Sequence, residues 1–491
     1  MPFTFIDLFA GIGGFKMALS HNGGHRLGFS EIDKDAISVY CENFQVNPND
    51  NWGDITKIKA LPSHDLLTAG VPCQSWSIAG KNLGFNDDRG QLWNDTIYLL
   101  QQSQPKAFIF ENVKGLVDPR NKQALAYILE RIKEAGYFAN YFVINSFDYG
   151  VLQSRVRVYI IGFRENKYFL RFNLPPVTQQ KMKLGDLLGI PSQPTNESYI
   201  LQKDLFGNII ESKTMSLSNT NGLNDYFLFN DIRNGHTTIH SWDIIATTQR
   251  QKKICLLLLK NRRKSCYGEL DGNPLSLQHF QCLDPSIKQQ EIDDLVELEI
   301  LKPEDYRFKV NNYNRDNLTE DEAILLSSIN NQEIVVDQLK KDTLLKIKRL
   351  SIAKILKSLQ SKEIIHCTEI RYDFKNSKIS TGLFGVSRIF LPTSNIFPTL
   401  VASDTNDFVA LKSIQACNQI EFKNNFIKEI YQPKCFRKIS QEEACLIQGF
   451  PKNFKLPKSR AKWMKLVGNS VSVPVIDQLC KAIINTGVFT N

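Results

Sequence analysis

The chain has no Cys-x-x-Cys pair, and its seven histidines show no ligand spacing beside the ten scattered cysteines, so no metal site is expected. No apolar run approaches the length that crosses a bilayer. The N-terminus lacks a basic-then-apolar leader, because Asp7 interrupts the first apolar run and Gly11 to Gly14 follow at once. These absences predict a cytoplasmic protein with free thiols and no membrane partner. Neither Gly-x-Gly-x-x-Gly nor a phosphate-cradling Lys-Ser/Thr motif occurs, which argues against dinucleotides and nucleoside triphosphates. Low-complexity linkers and internal repeats are missing as well.

What is present is ordinary in bulk and specific in detail. A length of 491 residues exceeds what one core usually organises, so more than one domain is expected. The net charge of +9 is modest and points to an anionic partner. Over residues 1–165 short apolar strands alternate with helical stretches, which predicts an α/β domain with a mostly parallel sheet. From about 166 to 385 that rhythm is lost and the chain reads as a largely helical insert. Residues 386–491 return to the first pattern, with Ser440 and Glu443 at capping-box spacing and Pro474 in the first turn of a last helix.

Cys73 follows the apolar stretch 65–69 in Gly70-Val71-Pro72-Cys73-Gln74. That places a thiol at the carboxyl edge of the sheet, where open α/β folds carry their sites. A free cysteine is usually a small buried apolar residue, but one at such an edge can serve as a thiolate nucleophile. Glu111 ends the apolar run 107–110 at the same edge, where apolar surroundings would raise its carboxyl pKa. Gln153, Arg155 and Arg157 alternate with Val156 and Val158, a period-two pattern that sets the two guanidiniums and the amide on one face. On the other flank lies Phe9-Ala10-Gly11-Ile12-Gly13-Gly14, between a strand and a helix. Glu31, some 20 residues on, suits ribose hydroxyls, and Asp54 in Gly53-Asp54-Ile55 suits an exocyclic amine. Together these loops predict an adenosine-type ligand without phosphates.

The ordered set Asp-Leu-Phe-Ala-Gly-Ile-Gly-Gly, Gly-Asp-Ile, Pro-Cys-Gln, Arg89-Gly90-Gln91-Leu92, Glu-Asn-Val, Gln-x-Arg-x-Arg and Gly468-Asn469-Ser470-Val471 resembles the DNA cytosine-5 methyltransferases. Pro398-Thr399-Leu400 and Gly449-Phe450-Pro451 fit the late part of that pattern. The resemblance covers residues 1–165 and 386–491, and it implies a Rossmann-like methyltransferase sheet whose last strand is antiparallel. Residues 166–385 would be the target-recognition insert.

It further implies S-adenosyl-L-methionine as cofactor, held by Phe9, Gly11, Ile12, Gly13, Gly14, Glu31, Ile32, Asp54, Ile55, Pro72, Leu92, Asn469, Ser470 and Val471. Cys73 would be the nucleophile and Glu111 the group at the base's N3. Arg155 would hold the base carbonyl and orient Glu111, with Gln153 and Arg157 supporting. The target base must leave the duplex, and the loop 75–89 is placed to close over it. The basic run 249–264, with Arg250, Lys252, Lys253, Arg262, Arg263 and Lys264, is assigned to DNA phosphates. A second basic run lies at 340–362. The partners implied are double-stranded DNA and a cognate restriction endonuclease, with the enzyme a monomer on DNA and of prokaryotic or phage origin. A tRNA cytosine methyltransferase and an inactive DNA-binding regulator are the alternatives. The first would carry a Cys-Phe-Thr segment, absent here, and the second should have lost Cys73, Glu111 or Arg155.

Overall fold

A computed structural model describes residues 2–72, 88–178, 182–190, 201–203, 209–211, 226–228, 241–270, 272–329, 332–341, 345, 351–375, 388–394, 396–405, 407–414 and 419–490. Cys73 and all but the last two residues of the loop 75–89 lie outside them; of Arg89, Gly90 and Gln91 only the backbone is described. The chain forms two compact units. The first comprises 1–226, 390–417 and 428–491, and the second comprises 227–389 and 418–427. The first unit thus runs past the boundary expected at 165 and takes in the helix Asn166–Arg171.

The first unit is built on β1 (Phe3–Leu8), α1 (Gly14–His21), β2 (Gly24–Ser30), α2 (Lys34–Phe44), β3 (Leu66–Gly70), α3 (Asp88–Ser103), β4 (Ala107–Val113), α4 (Lys122–Glu134), β5 (Phe138–Asn145), β6 (Gln153–Ser154) and β7 (Val156–Phe163). Six of these strands form one sheet in the order β2-β1-β3-β4-β7-β5. β2, β1, β3 and β4 are parallel, whereas β7 runs antiparallel to both β4 and β5. The fold is therefore the α/β methyltransferase type, with its last strand inserted antiparallel.

β1, β3 and β4 are mostly apolar because both faces of the sheet are covered. On one face Trp93, Ile97 and Leu100 of α3 and Leu125, Ile128 and Ile132 of α4 pack with Leu67, Phe108 and Phe110. The C-terminal helix Val473–Asn485 packs against α1. Its Asp477 accepts from His21 Nδ1 at 2.8 Å, and Phe489 stacks on Phe3 with ring centroids 4.5 Å apart. The chain's last segment is thereby joined to its first strand.

The second unit is largely helical around a three-stranded antiparallel sheet, Glu333–Val335, Leu301–Val310 and Ile365–Phe374. Its two long strands link two apolar clusters. Leu301 and Phe374 belong to one with Ile254, Leu258 and Phe280. Phe308 and Ile365 belong to the other with Leu325, Leu356 and Leu359.

Gly162 sits on β7 directly across from Phe108 on β4 and Ala139 on β5. A Cβ there would lie 2.3 Å from the Phe108 ring and 2.9 Å from Ala139 Cβ. Gly162→Ala should cost about 1–3 kcal/mol by overpacking, read as a lower denaturant midpoint with an unchanged m-value.

Candidate active site at the carboxyl edge of the sheet

Three loops meet on this flank: those after β1 and β2, and the segment from Asn51 to Asp54, which is bridged to β2 through Phe29 and Asn51. After β1 the backbone enters the left-handed region at Phe9 (φ 52°), Gly11 (φ 54°) and Gly13 (φ 88°). Phe9 is a bulky residue in that region, a strain that functional loops retain. Gly13 is the N-cap of α1 without a side-chain hydrogen bond, and the first turn carries no acid. That N-terminus keeps its positive end facing the loop.

Glu31, at the end of β2, accepts from Gly11 N at 2.8 Å through Oε2 and from Ile32 N and Asp33 N at 2.8 Å through Oε1. Three bonds leave acceptor capacity on the carboxylate. Ile32 beside it is 72% exposed, an unusual position for a β-branched apolar side chain. Asn51 joins the second loop to the third, accepting from Glu31 N (3.0 Å) and Gly53 N (3.1 Å) and donating to Glu31 O (2.9 Å). Asp54 caps the turn Ile55–Lys57 by accepting from Thr56 N at 3.1 Å.

The late part of the chain completes this flank. A Cβ on Gly14 would lie 2.7 Å from Val471 Cγ2, so only glycine lets that segment approach α1. Ile12 and Ile55 are buried, which leaves their backbones rather than their side chains for a ligand. Leu92 is half-buried on α3, Pro72 half-buried after β3, and Asn469 exposed.

The reaction flank starts at β4. Glu111 is buried, with Arg157 Nε 3.1 Å from its Oε1 as an ion pair rather than an aligned hydrogen bond. β4 and β7 pair Glu111 with Tyr159, so Arg157 is the same-face diagonal neighbour. Burial raises the Glu111 carboxyl pKa above the usual range, opposed by the charges of Arg157 and then Arg155. The neighbouring Asn112 donates to Val71 O at 3.2 Å and so fastens the segment that leads into Pro72 and Cys73.

Arg155 does something other than expected. The strand breaks at this residue, whose N–H donates to Asn145 Oδ1 at 2.9 Å. Its buried guanidinium donates to Leu400 O (3.1 Å), Gly468 O (2.9 Å) and Ser470 O (2.7 Å). Gln153 donates to Gln448 Oε1 at 3.0 Å, and Gln448 in turn donates to Ser470 O at 2.8 Å. Arg157 is thus the residue seen paired with Glu111, while Arg155 and Gln153 bond the late segments.

The family model for C-5 cytosine-specific DNA methylase matches residues 3–485. The chain belongs to that family. It is 40% identical over 484 residues to the Type II methyltransferase M.HgiBI of Herpetosiphon aurantiacus, covering 98% of this chain and 96% of the relative. M.HgiCII of the same organism is 40% identical over 490 residues, covering 99% and 98%. The Type II methyltransferase M.BanI of Aneurinibacillus aneurinilyticus is 28% identical over 511 residues, covering 99% and 97%.

Part of the basic run in this methylase's second unit is committed to its own fold. Arg262 is buried, ion-paired with Asp373 at 2.9 Å and set over the Phe374 ring. That corrects its assignment to phosphate. Arg250 pairs with Asp284 (2.9 Å) and Glu291 (2.7 Å), and Lys253 with Asp284 (2.7 Å). Arg263 and Lys264 are exposed and Lys252 is half-buried. Helical spacing carried the warning: Arg262 follows Ile254, Cys255 and Leu258 on the buried stripe of the helix Gln249–Asn261. Asn51 and Asn112 carry no charge to mark them in the sequence, although an asparagine beside a glycine turn or at a strand end is a usual loop fastener.

Arg262→Met should leave Asp373 as an uncompensated buried charge and cost about 3–5 kcal/mol in the second unit. The salt dependence of DNA binding by the folded fraction should be unchanged, whereas loss of a phosphate contact would lower that slope by roughly 1.

Proposed function

We propose that this DNA cytosine-5 methylase transfers a methyl group from S-adenosyl-L-methionine to C5 of an everted cytosine at a specific site in duplex DNA. The observation that carries the reading is the buried Glu111–Arg157 pair at the strand end beside the fastened segment Val71–Pro72. Cys73, one residue beyond Pro72, would add as thiolate to C6 of the cytosine. Glu111 with its raised pKa would hold a proton at N3 and stabilise the electron-rich adduct. Arg157 would keep that carboxyl in place and meet the base carbonyl. The new C5–CH3 bond forms, C5 then loses its proton, and elimination of the thiolate restores the aromatic ring.

The residues on the opposite flank fit the cofactor, which supplies an electrophilic methyl group as a sulfonium. Glu31 would take the ribose hydroxyls with its remaining lone pairs, and the exposed Ile32 would cover the adenine. Asp54 would accept from the exocyclic amine. Phe9, the backbone from Gly11 to Gly14, Leu92 and Asn469–Val471 would enclose the rest.

Site recognition is assigned to the second unit, with Lys252, Arg263 and Lys264 as its phosphate contacts. Kinship with Type II methyltransferases over nearly the whole chain favours DNA over tRNA as substrate and favours pairing with a restriction endonuclease. Action as a monomer on DNA in a prokaryotic or phage-infected cytoplasm completes the reading. Among the described residues no helix is long and apolar enough to cross a membrane.

Bisulfite sequencing of DNA from cells expressing the chain should show protection at one short sequence motif. Cys73→Ser should remove that protection and all transfer of labelled methyl groups, while calorimetric cofactor binding stays within about twofold; retained transfer would sink the nucleophile assignment. Arg157→Gln removes a charge that holds the Glu111 pKa down, so the pKa should rise further. If the protonated carboxyl is the active form, activity falls as pH rises through that pKa. In the variant the alkaline fall of kcat should therefore move to higher pH, with a lower plateau. An unmoved limb in a kcat–pH profile would separate Glu111 from the chemistry.

A further inference from the structure

Asp7 is the buried titratable group that the mechanism above leaves unused. It is fully buried near the carboxyl end of β1, two residues before Phe9. Its Oδ1 accepts from Thr68 Oγ1 of β3 at 3.1 Å, whereas Oδ2 has no hydrogen-bond partner. The charges facing it come from every neighbouring element. Arg26 on β2 and Lys16 on α1 favour the ionised form, and Glu31 after β2 opposes it. Tyr40 on α2, with a buried hydroxyl that also lacks a partner, feels the Asp7 charge. Glu31, the electrostatic neighbour of Asp7, is the residue bonded to Gly11 N in the glycine loop. Asp7 therefore sits at the root of that loop, with one oxygen uncommitted and within electrostatic reach of the proposed ribose site.

We infer that Asp7 discriminates the cationic sulfonium cofactor from its neutral thioether product, acting through its field across the base of the glycine loop. This rests on the assignment of that flank to the cofactor. When the methyl group leaves, the electrons of the carbon–sulfur bond stay on sulfur, which becomes an uncharged thioether. The methyl group bonds to cytosine C5, and the C5 proton passes to solvent. An anionic Asp7 favours the sulfonium; once that charge is gone, the carboxyl takes up a proton from solvent. Burial raises the Asp7 carboxyl to about 7, so both forms are populated at neutral pH. The sign follows: a nearby cation lowers the pKa, so cofactor binding releases protons and tightens as pH rises relative to product binding.

The test compares calorimetric dissociation constants of S-adenosylmethionine and S-adenosylhomocysteine between pH 6 and 8.5, in wild type, Asp7→Asn, Thr68→Val and Glu31→Gln. The wild-type ratio of product to cofactor constants, divided by that of Asp7→Asn, cancels the titration of the ligands themselves. It should rise about three- to tenfold across this range with a midpoint near pH 7, since one unit of pKa displacement corresponds to about tenfold in relative affinity. Thr68→Val removes a donor to the carboxylate and should move the midpoint to higher pH. A ratio with the same pH profile in wild type and Asp7→Asn overturns the inference. Where Asp7→Asn does not fold, Thr68→Val decides, and an unmoved midpoint overturns it. Glu31→Gln separates the two failures. Unchanged affinity for both ligands there would remove the cofactor assignment itself, whereas weakened binding of both with a flat Asp7 result would remove only the role of Asp7.

Discussion

The buried guanidinium of Arg155 is the joint on which the first unit turns. It comes from the boundary of β6 and β7, and it ties carbonyls 245, 313 and 315 residues away in sequence to the early half of the chain. Gly468 and Ser470 lie at the end of the helix Arg460–Asn469, whose negative dipole end suits a cation. Leu400, Gly468 and Ser470 are buried, and the arginine supplies donors to their carbonyls, sharing that of Ser470 with Gln448. Its charge also reaches Glu111 and restrains the rise of that carboxyl's pKa. One side chain thus sets both the closure of an interrupted domain and part of the field at the reaction flank.

The opposite flank is organised by backbone more than by side chains. Glu31 spends three acceptor bonds on main-chain N–H groups, and Asn51 ties its backbone to that of Gly53. The carboxylate is fixed before any ligand arrives, so little ordering entropy remains to be lost on binding. Ion pairs from the helix Arg460–Asn469 reinforce the same loop: Lys465 reaches Asp33 at 2.5 Å and Lys462 reaches Asp35 at 2.8 Å. These are exposed pairs and add little stability singly; they set where the late helix rests.

Much of this was legible in the sequence, for reasons specific to each element. The strand ends near Glu31 and Pro72 were readable because apolar runs stop there at turn-forming or charged residues, whereas β4 continues past Glu111 to Val113, paired with β7. The antiparallel β7 came from family resemblance rather than from pattern. The division of labour between Arg155 and Arg157 was hidden, because strict alternation presumes an unbroken strand, and the strand breaks at 155 to bond Asn145. The burial of Arg262 was legible in helical spacing, but its partner Asp373 was not. A charge count along a helix ignores which flank of the helix is buried, and Asp373 lies 111 residues away.

Val471 resting on Gly14 has a consequence for the order of folding. The two sides of this contact stand more than 450 residues apart in the chain, so the wall cannot form until the early strands and the late helices have both folded and met. Closure of that flank is a late event, and loosening the late segment would open it while the sheet behind stays formed.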